Sequence, residues 1–480
     1  MSDRRLLVIV LLALTGCYSF ALTPLPCQAD ANCEPGQRCV DGLCSAGGEG
    51  EGEGEGEGEG EGEGEGEGEG EGEGEPPCVG DFTVDATADL DDALDDGACA
   101  TTDATCSLRA ALTEAQGRAP LPSIICVPRG LGAIVLGSSV TVTNAEILVH
   151  GGGNMLAGGG SNRLFVLETI AHLTLHDLTL AGGRSATDAA AALVKTGATL
   201  RLEDVVVSQN ITTTVDDTYY EGGAITVNDD GRLEALRTTF VQNRLETPAG
   251  FGRGGAIGLH DVSSLLLEDS VFDRNHAPDV GGALFIATVG ANVTIRRTTF
   301  VANTSDRGGA VDVNCATSGT LHFFNSTFFG NIGAQTIFVC GDQTVELVHC
   351  TFKDNAGVIV SLDGSAANPG QLRLLGTVVD DADGAICAID SQGVVLSLGG
   401  NVLSANDPVC ELGATDRVGD PLLDEQLALN GGVTPTLALA ALSPAVGAAD
   451  QGTCPATDQR GFLRDDGDCD AGAFEYGATP

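Results

Sequence analysis

Acidic and basic side chains cluster around a Gly-Gly pair that recurs in the middle of this 480-residue chain. If neighbouring repeats stack, these side chains come within reach of one another along one face. Two carboxylates there could bind calcium or act as a general acid and a general base. The candidate metal ligands are Asp229, Asp230, Asp261 and Asp312; the candidate catalytic residues are Asp312, Asp261, His260 and Arg307, with Arg253 as a further basic residue.

A solvated face without chemistry is the simpler interpretation of the same residues. Exposed Asp and Arg side chains are ordinary on a protein with a net charge of −45, and no Asp ladder repeats through this region. A phosphate-binding loop is excluded as well, because the glycine triplets at 151–153 and 158–160 lack a following Lys-Ser/Thr and a helix. We therefore favour the solvated face and expect no cofactor, with calcium left open.

The elements that would position these side chains are short strands in a repeat. The Gly-Gly steps are 32, 27 and 27 residues, which is typical of a repeat array. Runs such as Ala224-Ile225-Thr226-Val227 alternate with period two, and no crossover helix separates them. Strands that recur without helices must stack coil on coil, so the pattern predicts a parallel β-solenoid with about three short strands per coil. The recurring pairs are Gly222-Gly223, Gly254-Gly255, Gly281-Gly282 and Gly308-Gly309.

Two side-chain ladders are expected inside this solenoid. One is aromatic, with stacked rings in the core, and the other consists of asparagine amides at a bend, each bonded to its neighbour or to the turn backbone. The aromatic ladder is Phe240, Phe272, Phe300, Phe328 and Phe352, and the amide ladder is Asn243, Asn275, Asn303, Asn331 and Asn355.

This repeat resembles the single-stranded right-handed parallel β-helix of the pectate-lyase-like superfamily. The resemblance implies an all-β fold, with the β-helix over residues 127–428. Lyases of this superfamily use acidic calcium ligands and a basic residue on an exposed sheet, but sharing the fold does not imply sharing that activity.

The N-terminus predicts export and lipid attachment. Residues 1–16 have a basic start and an apolar run too short to span a bilayer, which is typical of a signal peptide. Leu14-Thr15-Gly16-Cys17 resembles the bacterial lipobox, which implies lipidation of Cys17, and Tyr18 after it favours the outer membrane by the usual sorting rule. The alternative is an ordinary signal peptide with a chance cysteine.

A small module and a linker follow. Residues 17–48 hold Cys27, Cys33, Cys39 and Cys44, and we expect a disulfide-stapled knob rather than a metal site, because the spacing lacks Cys-x-x-Cys pairs. Residues 49–77 form a Glu-Gly linker, which is self-repelling and cannot bury enough surface to fold. We interpret it as a stalk.

The two ends of the folded part resemble known bacterial surface segments. Residues 78–126 include Cys106-Ser107-Leu108-Arg109-Ala110-Ala111, which resembles the CSLREA motif and predicts a capping helix with Ser107 as N-cap. Residues 429–480 resemble the choice-of-anchor Q segment that closes many β-helix proteins, and within it Asp458 and Arg460 are expected to form a local ion pair.

Cysteine usage predicts an oxidised, secreted protein. We expect Cys454 to pair with Cys469, and we expect Cys350 to stay unpaired because it occupies a small-residue position of the core. The remaining disulfide candidates are Cys78, Cys99, Cys106, Cys126, Cys315, Cys340, Cys387 and Cys410.

The charge balance limits the partners. The 14 glutamates of the linker account for 14 of the 45 net negative charges, leaving −31 on the rest. Such a surface argues against nucleic acid and against adsorption to anionic lipid. Two functions stay open: a non-enzymatic surface lipoprotein, adhesin-like or structural, and a polysaccharide lyase or glycoside hydrolase of the same fold. We favour the first, as a monomer that meets the membrane through its lipid and meets a polysaccharide or a surface protein through its solenoid.

Overall fold

The computed structural model describes residues 37–40, 43–46 and 78–479, with gaps at 95, 196, 214–218, 248–249, 261–263, 288–291, 315–318, 342, 364–369, 382–385, 390–392 and 465–466. The predicted signal peptide, Cys17, the linker, Asp261 and Cys315 therefore lie outside the described residues. Residues 1–50 form a unit separate from residues 51–480, and what is described of it is an antiparallel hairpin of β1 and β2.

The regular secondary structure of the described residues is almost entirely β-strand, and most of the strands are short. Their bounds are β1 Gln37–Val40, β2 Leu43–Ala46, β3 Phe82–Thr83, β4 Ser123–Cys126, β5 Ile134–Val135, β6 Val140–Thr143, β7 Glu146–Ala157, β8 Phe165–Glu168, β9 His172–Ala181, β10 Arg184–Ser185, β11 Ala192–Val194, β12 Thr199–Ser208, β13 Ile211–Thr213, β14 Tyr220–Glu221, β15 Ile225–Val227, β16 Arg232–Leu236, β17 Thr239–Val241, β18 Arg244–Glu246, β19 Gly252–Arg253, β20 Ile257–Leu259, β21 Ser264–Glu268, β22 Val271–Asp273, β23 Leu284–Ile286, β24 Asn292–Arg296, β25 Thr299–Val301, β26 Val311–Val313, β27 Thr320–Phe324, β28 Thr327–Phe329, β29 Gln335–Cys340, β30 Thr344–Val348, β31 Thr351–Lys353, β32 Val358–Asp363, β33 Gln371–Leu375, β34 Val378–Asp380, β35 Cys387–Ile389, β36 Val394–Gly399, β37 Val402–Leu403 and β38 Arg417–Val418. The α-helix is α1 Leu108–Gly117, and 3₁₀ turns lie at Pro408–Cys410 and Gln451–Thr453.

The strands stack into a parallel β-solenoid, which confirms the predicted fold class. Sheet 1 has ten strands in the order β6-β8-β11-β15-β20-β23-β26-β29-β32-β35. Sheet 2 contains the longer strands and bends within each coil, so that β12 pairs with both β16 and β17. Sheet 3 is β10-β13-β18, and isolated bridges through His276, Thr304 and Ile332 extend it. Every pairing in these three sheets is parallel among the described residues.

The predicted aromatic ladder fills the core. The five rings, from Phe240 to Phe352, are fully buried and stack with centroids 4.6 to 4.9 Å apart and planes within 4° to 9° of parallel. This spacing is the distance between neighbouring strands. Each stacked pair contributes about 0.5–1.5 kcal/mol beyond the burial of its area.

The predicted asparagine ladder is present and is longer than expected. It begins at Asn210, and each side-chain Nδ2 donates to the Oδ1 of the next asparagine at 2.9 to 3.1 Å. The ladder ends at Asp381, whose Oδ1 accepts from the backbone N of Asn355 at 2.8 Å. Buried amides bonded in this way fix the bend of each coil and its register with the next.

The Gly-Gly pairs form the corner that precedes sheet 1. Glycine is required at the two positions of a pair for different reasons. The first one adopts a positive φ between 61° and 71° at Gly222, Gly254, Gly281 and Gly308. The second one lies against the next coil: a Cβ at Gly255 would lie 2.1 Å from the carbonyl oxygen of residue 282. Backbone conformation and close approach therefore explain the motif.

Helix α1 begins at the predicted N-cap. The Ser107 Oγ accepts from the backbone N of Ala110 at 3.0 Å. Leu108, Ala111 and Leu112 of the helix pack into the core beside the first strands. None of the helices in the described part of the chain is long and apolar enough to span a membrane.

Disulfides staple both ends. The bonds are Cys78–Cys126, Cys99–Cys106, Cys387–Cys410 and Cys454–Cys469, the last of which confirms the predicted pair. Cys340 is disulfide-bonded too. Cys350 is free and fully buried, as predicted, and burial raises the pKa of its thiol to about 12.

The C-terminal segment lies along the outside of sheet 2. Three threonines that point outward from successive strands bond to it: Thr299 Oγ1 to the Pro435 carbonyl at 2.7 Å, Thr327 Oγ1 to Gln459 Oε1 at 2.7 Å, and Thr351 Oγ1 to the backbone N of Ala473 at 2.9 Å. Beyond the last coils, Cys410 of the first 3₁₀ turn packs into the core.

That segment is itself held by buried ion pairs. Asp458 and Arg460 form the predicted local pair, with Nη2 and Oδ2 2.6 Å apart, and both side chains are almost fully buried. Arg464 pairs with Glu475 beside them, again away from solvent.

Candidate functional site

The predicted site lies on the outer side of sheet 1. In the three-residue strands β15, β20, β23 and β26 the middle residue points away from the core, and these residues stack in register with one another and with Phe338 of β29. We call them the outer row: Thr226, Gly258, Phe285, Asp312 and Phe338. All five are buried, although they face outward.

A second layer of backbone covers the outer row. Strands β14 and β19 pair in parallel, and bridges from Arg253 to Val280 and from Val280 to Arg307 continue the same ladder. We call this ladder, residues 220–221, 252–253, 280 and 307, the arm. It lies close to the outer row, since Thr226 Oγ1 donates to the Glu221 carbonyl at 2.6 Å.

Asp312 and Arg307 are brought together, as the sequence analysis expected, but they form a closed pair. Arg307 Nε and Nη2 donate to the two oxygens of Asp312 at 2.7 and 3.2 Å. Asp312 is 0% exposed, and burial raises its pKa to about 6 against the opposing effect of the Arg307 guanidinium. The guanidinium also lies 4.1 Å from the centroid of the Phe338 ring.

Glu221 of the arm is the most perturbed carboxyl of this region. Burial raises its pKa to about 7, while His260 and Arg253 oppose the shift and Asp188 adds to it. Its Oε1 lies 3.7 Å from Arg253 Nη1. Gly258 of the outer row leaves room for it, because a Cβ there would lie 2.6 Å from the Glu221 Cβ.

Asp188 is the carboxyl next to Glu221. Its Oδ1 accepts from the backbone N of Glu221 at 2.9 Å. Burial raises its pKa, and the bond from Glu221, Arg163 and His260 all act against that rise. Two carboxyls of adjacent coils, both with raised pKa, thus face the same histidine.

Arg253 connects the acidic end of the arm to aromatic rings. Its guanidinium carbon lies 4.0 Å from the centroid of Tyr219 and 5.1 Å from that of Phe285. Tyr219 is 50% exposed and contacts Phe251 with centroids 5.0 Å apart. Asp279, whose pKa burial raises, is influenced by both Arg253 and Arg307. Glu221, Arg253 and Arg307 of the arm, with Asp279 next to Val280, thus place carboxyl and guanidinium groups along the same face.

The other predicted site residues lie elsewhere. Asp229 and Asp230 are exposed in the turn after β15, with φ of 53° and 62°. His260 is exposed and acts on the Glu221 pair, and Asp261 is outside the described residues. Across the described part of the chain, no group of three or more His, Cys, Asp and Glu residues is arranged to hold a metal ion.

Three acidic residues were missed by the sequence analysis: Asp188, Glu221 and Asp279. A signal for one of them was present, because Glu221 precedes its Gly-Gly pair as Arg253 and Arg307 precede theirs. Asp188 and Asp279 do not immediately precede a Gly-Gly pair, so the repeat gave no signal for them.

The arrangement can do limited chemistry. A carboxyl with a pKa of about 7 is suited to donate or accept a proton at neutral pH, and Asp188 beside it could serve as its partner. The Asp312 carboxylate is buried and neutralised by Arg307, whose own side chain is 41% exposed, so this carboxylate is not open to a substrate.

A comparison with protein families agrees with this architecture. A family model described as a right-handed beta helix region matches residues 130–352. A search of the curated proteins finds no match. The matched stretch contains the outer row, the arm, the aromatic ladder and the asparagine ladder as far as Asn331, and it supports the β-helix fold of this region.

Proposed function

We propose that this protein is a non-enzymatic cell-surface lipoprotein that displays its β-helix on an acidic stalk, as an adhesin or a structural surface protein. The proposal is supported by the order of segments along the chain: a predicted signal peptide, a cysteine in a lipobox-like sequence, a predicted cysteine-rich module and the Glu-Gly linker, then a solenoid with disulfide-bonded ends.

The observation that carries the non-enzymatic part is the closed outer row. Catalysis requires acid and base groups within hydrogen-bonding reach of a substrate. Asp312 is 0% exposed and its two oxygens are bonded to Arg307, so this carboxylate is out of reach of a substrate.

Lipid labelling in a bacterial host tests the display. The wild-type protein is expected to incorporate labelled fatty acid, to fractionate with the outer membrane and to be shaved from intact cells by protease. Cys17→Ala is expected to lose the label and the fractionation, whereas Cys27→Ala keeps both. Labelling that survives Cys17→Ala would refute the anchor.

A glycoside hydrolase or polysaccharide lyase is the second candidate, and Glu221 with Asp188 is the observation that favours it. Purified protein would be incubated with calcium and acidic or neutral polysaccharides, following reducing and unsaturated ends. Our proposal expects no release. Release that Glu221→Gln or Asp188→Asn abolishes, and that exposed Glu146→Gln leaves intact, would replace the proposal by the enzyme.

A further inference from the structure

A groove is lined by sheet 3, which precedes the Gly-Gly corner in each coil. Its volume is about 480 Å³, which lies within the range of small-ligand sites. Three successive coils contribute to it: Thr213 from β13, residues 244–247 from β18 and the turn after it, and His276 with Pro278 from the next coil. The groove therefore crosses the coils in the direction of the solenoid axis.

Donors and acceptors alternate in this groove. Arg244 Nε donates to Glu246 Oε1 at 2.8 Å, and both side chains are about half exposed, at 49% and 42%. Thr213 Oγ1 donates to the other oxygen of Glu246 at 3.4 Å. Guanidinium and carboxylate thus balance each other in charge, yet each keeps free hydrogen-bonding capacity.

The remaining polar groups add neutral hydrogen bonding. His276 is exposed and uses Nδ1 towards Thr304 Oγ1 at 2.8 Å, which leaves Nε2 on the other side of the ring. Thr247 Oγ1 is buried and has no hydrogen-bond partner among the described residues. A hydroxyl group of a ligand would satisfy His276 Nε2, whereas Thr247 Oγ1 is enclosed and out of a ligand's reach.

The floor is apolar and rigid. Leu245 is 1% exposed, and Pro278 is held by close packing, since a Cβ at Gly252 would lie 2.9 Å from its Cδ. An apolar floor with polar walls suits a sugar ring, which presents C–H groups on its face and hydroxyls at its edge.

We propose that this groove binds a neutral, extended glycan chain. An anionic chain would find no uncompensated cation at the Arg244–Glu246 pair and would be repelled by a protein with a net charge of −45. The coils repeat every ~4.7–4.9 Å, which is roughly the length of one hexose residue, so neighbouring sugars meet neighbouring coils. The inference rests on the proposed function, because it supplies the ligand that an adhesin requires.

The test is calorimetric titration of the full chain with cellohexaose, mannohexaose and laminarihexaose, and with hexagalacturonate as the acidic probe. At least one neutral hexamer is expected to bind, and hexagalacturonate is not. Arg244→Ala and Glu246→Gln are each expected to weaken binding about tenfold, the usual scale for losing a hydrogen bond to a charged group.

Matched controls separate the groove from general effects. Arg232→Ala removes an arginine of similar exposure, 52%, that pairs with a glutamate two residues later at 3.2 Å, as Arg244 does, but on sheet 2; it is expected to leave binding unchanged. Thr213→Val keeps the volume and the fold and is expected to weaken binding a few-fold.

Three results would overturn the inference: no binding of any neutral hexamer, preferential binding of hexagalacturonate, or equal effects of Arg232→Ala and Arg244→Ala. The lipid labelling of Cys17 does not depend on any of these three results. Failure of the glycan site and failure of surface display are therefore distinguishable.

Discussion

At Glu221, burial and neighbouring charges pull the carboxyl pKa in opposite directions, and burial prevails. The site lacks a cation bonded as closely as Arg307 is to Asp312, because Arg253 remains 3.7 Å away and is shared with Tyr219 and Phe285. The arm therefore holds Asp312 in a close ion pair with Arg307, whereas Glu221, without such a close cation, has a pKa of about 7.

Glu221→Gln is expected to remove a pH dependence of stability. Since the folded-state pKa is raised to about 7, the folded form holds the proton more tightly than the unfolded form. The stability from Glu221 is full below its ordinary pKa and is lost as pH rises towards 7. The variant should match wild type near pH 4 and exceed it at pH 8 by roughly 1–3 kcal/mol.

Urea unfolding followed by circular dichroism at both pH values measures this. Glu146→Gln, on the exposed edge of β7, is the control and should show no such divergence. Equal stabilities of Glu221→Gln and wild type at pH 8 would contradict the expected cost of ionising Glu221.

At the scale of elements, the asparagine ladder ends in an acid. Asp381 continues the row of amides, but its Oδ2 is buried without a hydrogen-bond partner among the described residues. Burial raises its pKa to about 7, with Asp354 and Asp380 adding to the shift and bonds from Asn355 opposing it. Ionisation of Asp381 is therefore expected to lower the stability of the last coils.

Asp381→Asn is expected to stabilise the protein above pH 7 and to leave it unchanged near pH 4. The raised pKa means that the wild-type carboxyl contributes stability at low pH and loses it as pH rises through about 7, whereas an amide does not titrate. Asn355→Asp, which adds a second acid to the ladder, should have the opposite sign at pH 8. Thermal melts of the variants and the wild type at pH 4 and pH 8 test this prediction. A melting temperature of Asp381→Asn below that of the wild type at pH 8 would refute it.

The second glycine of each corner is a separate element-level prediction. In Gly255→Ala the new Cβ would meet the Gly282 carbonyl oxygen at 2.1 Å and the backbone N of His276 at 2.5 Å. Only backbone movement relieves such contacts, so a loss of about 1–3 kcal/mol or more is expected. Gly137→Ala, where the nearest atom is the Asp89 Oδ2 at 3.4 Å, should cost little in the same denaturation assay.

The sequence predicted those features that repeat. The phenylalanine and asparagine positions recur with the coil, so stacking in register was readable from spacing alone, as was the N-cap at Ser107. The arm was not readable, because its coverage of Asp312 depends on loops of unequal length between sheets 3 and 1. Asp188 was not predictable either, because it does not recur from coil to coil and only the folded chain places it beside Glu221.

At the scale of the whole molecule, charge is concentrated in the predicted stalk. Residues 49–75 carry 14 of the 45 net negative charges. A neutral flexible chain of that length would span about 30 Å, and like charges on every second residue extend it further at low salt.

Replacing these glutamates with glutamine is expected to shorten the linker without changing the fold. The hydrodynamic radius of the full chain should fall at low ionic strength and lose its salt dependence, while the melting temperature of the solenoid stays constant. Dynamic light scattering of the wild-type and substituted chains across a salt series measures this radius; a salt-independent radius of the wild-type chain would contradict the self-repelling stalk.

The C-terminal segment bonded along sheet 2 has a consequence for secretion. Thr299, Thr327 and Thr351 lack their final partners until residues 435–473 arrive, so in the export that we propose these middle coils would be completed only after nearly the whole chain has crossed the membrane. We expect that delay to leave these coils loosely held until the C-terminal segment docks and to stabilise them afterwards. Hydrogen exchange on a chain ending at residue 428 would show it, as faster exchange in β25, β28 and β31 than in β9 and β12.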